Sequence, residues 1–154
     1  MKLFKTAAGT ALALTVTLGA LTTAAIAEPD KKNKLSGQQV AELYSGKTWI
    51  WSEGASYWGK GSEFQGMWKT SVAIGKWYAT NGGQLCYEAT WYSENSEEPV
   101  KRCWLHVTDS KGVLWKQDLK TKDWYKPKNE FAERLKSGNK IKGKVRKARK
   151  RLGV

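Results

Sequence analysis

The chain has 154 residues, with 27 Lys and Arg against 14 Asp and Glu, a formal net charge of +13, two cysteines and nine tryptophans. Its length fits one domain, and two Cys with one His supply too few soft ligands for a structural zinc site. The charge is concentrated: Arg134 to Val154 holds ten Lys or Arg and no acid, whereas Glu28 to Glu133 carries fifteen basic and fourteen acidic residues.

Residues 1–27 read as a secretory signal peptide. Lys2 and Lys5 form the positive end, Ala7 to Ala20 the apolar stretch, and Ala25-Ile26-Ala27 the A-x-A cleavage pattern before Glu28. This predicts an exported protein, periplasmic or secreted. In an oxidising compartment Cys86 and Cys103 are expected to pair, and the short closed loop contributes on the order of 3 kcal/mol by constraining the unfolded chain.

Residues 28–34 form a polar lead-in, and a helix start follows. Ser36 and Gln39 have the spacing of a capping box, and Leu35 and Val40 fit a hydrophobic staple. Val40, Leu43 and Tyr44 fall on one face, with Gly46 placed to end the helix.

From Lys47 the apolar period changes to two. Strands are predicted at 47–52, 55–59, 62–70, 72–79, 84–93, 100–108, 113–119 and 124–125. Lys60-Gly61, Asn81-Gly82-Gly83 and Asp109 to Gly112 are the hairpin turns. The predicted fold is mainly β with a minor α part. It is an antiparallel meander of about eight short strands forming a small barrel or strongly bent sheet, in a single domain over 35–127. If Cys86 stands opposite Cys103, the same register sets Glu88 opposite Lys101 and Tyr87 opposite Arg102.

All nine tryptophans lie between Trp49 and Trp124. Most serve packing on the simplest reading. The sharper reading has Trp49, Trp51, Trp68, Trp77 and Trp115 lining a cavity for a small apolar, aromatic or glycan ligand.

No catalytic constellation stands out. His106 is the only histidine, and its place in an alternating strand suits a solvated or hydrogen-bonded structural role. Glu94, Glu97 and Glu98 cluster in an acidic loop. No G-x-S-x-G, P-loop or dinucleotide-binding glycine pattern is present. A binding protein without metal or cofactor is therefore expected. The alternatives are an inhibitor or accessory subunit of a cell-envelope enzyme, and a hydrolase with an unrecognised site.

The order GKTWIW (46–51), GASYW (54–58), GKWY (75–78), LCYEATW (85–91), CWLH (103–106) and LWKQ (114–117) resembles the bacterial exported family called domain of unknown function 995. The resemblance covers about residues 35–126. It implies a small exported or periplasmic protein and brings no assigned reaction. A fainter likeness is to lipocalin-type barrels, in which a helix precedes a G-x-W strand; here Gly46 and Trp49 are one residue further apart. Neither resemblance predicts the basic end.

That end, 128–154, reads as a tail, helical or disordered. Asn129 is placed to cap a short helix bearing Phe131 and Leu135, with Gly138 at its end. Ile141, Val145, Ala148 and Leu152 then form a narrow apolar stripe. Around the stripe stand Lys140, Lys142, Lys144, Arg146, Lys147, Arg149, Lys150 and Arg151. Gly143 costs such a helix about 1 kcal/mol relative to Ala, so a partner is needed to hold it. An anionic membrane, lipopolysaccharide or an acidic polysaccharide surface fits that need. Nucleic acid fits less well, because an exported protein meets little of it.

Overall fold

The computed structural model describes residues 33–125 and 133–154. The signal peptide expected at 1–27, most of the lead-in, and the helix start at Asn129 and Phe131 lie outside the described residues.

Helix α1 spans Gly37–Tyr44. Its capping box is formed: Gln39 N–H donates to Ser36 Oγ (3.2 Å) and Ser36 N–H to Gln39 Oε1 (2.8 Å). Leu35 and Val40 meet in one apolar cluster, as a staple requires. Gly46, at φ 72°, lets the chain turn at once into the sheet.

The strands are β1 (Lys47–Trp51), β2 (Gly54–Trp58), β3 (Glu63–Trp68), β4 (Ser71–Thr80), β5 (Gln84–Tyr92), β6 (Glu97–Thr108), β7 (Leu114–Asp118), β8 (Trp124–Tyr125) and β9 (Leu135–Ser137). They form one antiparallel sheet in the order β8-β7-β6-β5-β4-β3-β2-β1-β9, curled into a half-barrel. All eight predicted strands are found, although β6 starts at Glu97 rather than Val100.

Turn chemistry sets the hairpins. Gly83 (φ 76°) donates to Thr80 O at 3.0 Å between β4 and β5. Between β6 and β7, Gly112 N–H donates to Asp109 O, while Asp109 Oδ1 accepts from Lys111 and Val113 N–H, each at 2.9 Å. The β5–β6 register carries all three predicted pairs. Cys86 and Cys103 form a disulfide with Cα atoms 4.1 Å apart, and Lys101 Nζ lies 2.7 Å from Glu88 Oε1. At Gly75 a Cβ would stand 2.1 Å from Glu88 O, so the close approach of β4 to β5 requires glycine.

The C-terminal segment differs from the expected separate tail. Leu135, assigned from sequence to a short helix, lies in β9 and pairs with Trp49 on the edge of β1. The buried Thr48 hydroxyl fixes this segment, donating to Gly138 O (2.7 Å) and accepting from Lys140 N–H (3.0 Å). Helix α2 follows at Lys142–Leu152. Ile141, Val145 and Ala148 are buried against Ala55 of β2 and Val72 of β4, with Leu152 beside them. The apolar boundary that the stripe needs is the outer face of the protein's own sheet. Packing there replaces the intrinsic stability that a lysine-rich helix containing glycine lacks. Strand β9 pairs with β1 and helix α2 packs on the sheet, both past the residue 127 at which the sequence reading ends the β domain.

Candidate functional site

Residues directly opposed across neighbouring strands share a face of the sheet. The pairs Trp49–Ser56, Trp58–Phe64, Tyr87–Arg102, Trp104–Asp118 and His106–Lys116 thus mark the inner face. Helix α1 packs on this face through Tyr44, which is fully buried. Its ring centroid lies 5.5 Å from that of Trp58, 6.3 Å from Trp49 and 5.4 Å from His106.

The inner face also holds a cavity of about 620 Å³. Its wall is aromatic: Trp49, Trp51, Trp58, Trp91 and Trp104, with Phe64 and Tyr87. Its polar lining is Ser56, Arg102, Lys116, Arg134 and the Tyr125 side chain. Phe64 and Tyr87 stack at 4.2 Å, and Trp58 stands edge-on to Phe64 and Trp104. Two wall indoles rest on glycines. A Cβ on Gly54 would come 2.7 Å from the Trp51 ring, and one on Gly66 would come 3.1 Å from Trp91. A groove next to the cavity shares Trp51, Tyr87, Trp91 and Arg102 with it. This groove reaches Trp68, which is half exposed and has Lys69 Nζ 5.2 Å from its ring centre.

Cations are held against this wall. Arg102 forms an ion pair with the buried Asp118 and has its guanidinium 5.8 Å from the Trp104 ring. Burial works against ionisation of Asp118, but Lys120 N–H and the Arg102 guanidinium outweigh it and hold the carboxyl below its ordinary range. Lys116 Nζ sits 4.5 Å from the Trp49 ring centre and 4.7 Å from that of Trp104, within cation–π reach. Burial pushes the Tyr87 phenol up. Trp58 Nε1 and Arg102 Nε are buried and have no hydrogen-bond partner among the described residues.

The five tryptophans singled out from sequence fall in different places. Trp49 and Trp51 line the cavity, and Trp68 lies in the adjoining groove. Trp77 faces inward but is buried in the core beside Trp58, its indole N–H donating to Gly59 O at 2.8 Å. Trp115 lies opposite Val107 in a separate cluster, donating to Asp109 Oδ2 at 3.0 Å. Neither of these two touches the cavity. Trp58, Trp91, Trp104, Arg102 and Lys116 were missed. The signal for Arg102 was present, since the disulfide register sets it opposite Tyr87.

His106 is a buried structural residue, sharing a 2.9 Å hydrogen bond with Tyr44 Oη. Burial, helped by the Lys116 charge, pulls its pKa down to about 3, so the ring is neutral near pH 7. Glu97 and Glu98 are exposed at the start of β6. Among the described residues no group of three or more His, Cys, Asp or Glu is placed to hold a metal ion. Lys140, Lys142, Lys144, Arg146, Lys147, Arg149, Lys150 and Arg151 are all exposed, on α2 and the residues leading into it.

These features define a small antiparallel half-barrel with an inner helix and an aromatic cavity. The family described as "Protein of unknown function (DUF995)" matches residues 11–146, and the chain belongs to it. The match runs through β9 into α2, further than the sequence motifs had carried the resemblance. No curated protein and no solved structure matches the chain.

Proposed function

We propose that this is an exported, non-catalytic binding protein of the cell envelope whose cavity takes a small apolar or glycan ligand. The observation that carries the reading is the inner-face cavity of about 620 Å³, walled by Trp49, Trp51, Trp58, Trp91 and Trp104. Its volume is within the usual range of small-molecule sites, and indole faces suit apolar or ring-shaped bodies.

Export follows from the signal-peptide pattern and agrees with the disulfide. The cationic face of α2 is suited to hold the protein at an anionic membrane, lipopolysaccharide or acidic polysaccharide. Because the apolar stripe faces the sheet, that attachment is electrostatic and does not require insertion, so it weakens with salt.

The test is native mass spectrometry of the protein beginning at Glu28, followed by tryptophan fluorescence titration with lipids and glycans. A co-purifying small molecule or a saturable emission change supports the cavity. No added mass, and no change with any ligand class, would reject it.

A further inference from the structure

We infer that the ligand is a chain of sugar rings running from the cavity along the adjoining groove; this rests on the cavity being the binding site. The inner face carries two rows of residues across the strands. The register sets Gly54 between Trp51 and Trp68, and sets Ser56, Gly66 and Ala73 between Trp49 and Trp91. No side chain larger than serine stands between the indoles of either row. Trp51 and Trp91 therefore rest against Gly54 and Gly66, and both line the cavity and the groove alike. The cavity, about 620 Å³, and the groove, about 670 Å³, are joined at these two rings, so one occupant can run through both. Trp51 and Trp68 lie two strands apart, about 10 Å across the sheet. That separation exceeds one pyranose ring, and a compact ligand seated in the cavity would leave the half-exposed Trp68 unused. A sugar has an apolar face and a hydroxyl edge. The face stacks on indole, and the hydroxyls both donate and accept, which suits the mixed rim of Ser71, Ser93, Ser96, Glu98 and Lys120. A wholly apolar chain would cover that rim without pairing it.

The protein beginning at Glu28, disulfide intact, is titrated by tryptophan fluorescence and calorimetry. The probes are the disaccharide and hexasaccharide of the cello- and chito-oligosaccharide series, with 2-naphthylmethanol as a compact apolar probe. In at least one series the hexasaccharide is expected to bind at least about tenfold tighter than the disaccharide, more than repeated registers along a chain supply. The series that shows the gain identifies the sugar. Trp68→Ala is expected to remove most of the gain, and Trp68→Phe, which keeps a ring in the groove, to retain it. Thermal unfolding of each variant checks that it is folded. Equal affinity for disaccharide and hexasaccharide would overturn the chain inference while leaving the cavity reading intact. A gain that survives in folded Trp68→Ala, or binding of 2-naphthylmethanol with neither sugar series, would do the same. Binding by none of the probes would count against both.

Discussion

Tyr44 Oη and His106 Nε2 lie 2.9 Å apart with both side chains fully buried, so the last turn of α1 is tied to the C-terminal end of β6. The helix is thereby held on the inner face by a polar contact as well as by apolar packing. Tyr44→Phe is expected to destabilise the fold by about 1–3 kcal/mol, because the imidazole loses this partner where water cannot replace it. Urea unfolding measures this. A variant as stable as the parent would show that the bond contributes nothing.

The same histidine makes stability depend on pH. Its folded pKa of about 3 lies below the ordinary 6.5, so the unfolded chain takes up a proton that the native state refuses. The contribution is fully present above about pH 6.5 and is lost as pH falls toward the folded value, by up to about 1.4 kcal/mol per pH unit. Unfolding midpoints between about pH 7.5 and 5 should fall for the parent. They should fall less for His106→Gln, and parallel curves would refute the assignment.

The Cys86–Cys103 bridge joins directly opposed residues of β5 and β6, separated by 17 positions in sequence. Replacing both by alanine is expected to cost about 2–4 kcal/mol. The β5–β6 register should survive, because Glu88–Lys101 and the backbone ladder remain. Denaturation, with hydrogen exchange of the β5 amides, tests both statements.

Docking of α2 separates stability from surface attachment. Val145→Asp places a carboxylate against Ala55 and Val72 and should strip the helix from the sheet, with a loss of about 2–4 kcal/mol. Reversing Lys144, Lys147 and Lys150 to Glu alters only exposed side chains. It should leave the fold in place and abolish binding to anionic vesicles at low salt, with neutral vesicles as the control. Removing residues 134–154 outright is a poorer test, since it would also take β9 from β1.

Much of this fold was legible because its instructions are local. Ser36 with Gln39, Asn81-Gly82-Gly83 and Asp109 to Gly112 each specify a terminus or a turn by their own hydrogen bonds. The cysteine pair then sets one register, from which Glu88–Lys101 and Tyr87–Arg102 follow. Strand β9 was not legible. Three residues without alternation carry no period, and their conformation comes from the free edge of β1 and the buried Thr48 hydroxyl. The cavity wall was half legible. Tryptophan content pointed to it, but which rings face inward depends on strand parity and on depth. Trp115 lies away from the cavity by the first and Trp77 by the second.

The packing of α2 also bears on survival in a compartment that contains proteases. Eight of the twelve residues from Lys140 to Arg151 are Lys or Arg, each a potential cut site for an enzyme specific for basic side chains. A peptide bond in a hydrogen-bonded helix must open before it enters such an active site, so the cutting rate follows the free energy of opening. Ile141, Val145, Ala148 and Leu152 thus act as a lock on the most cleavable part of the chain. The intact C-terminus becomes a direct readout of whether that lock is closed.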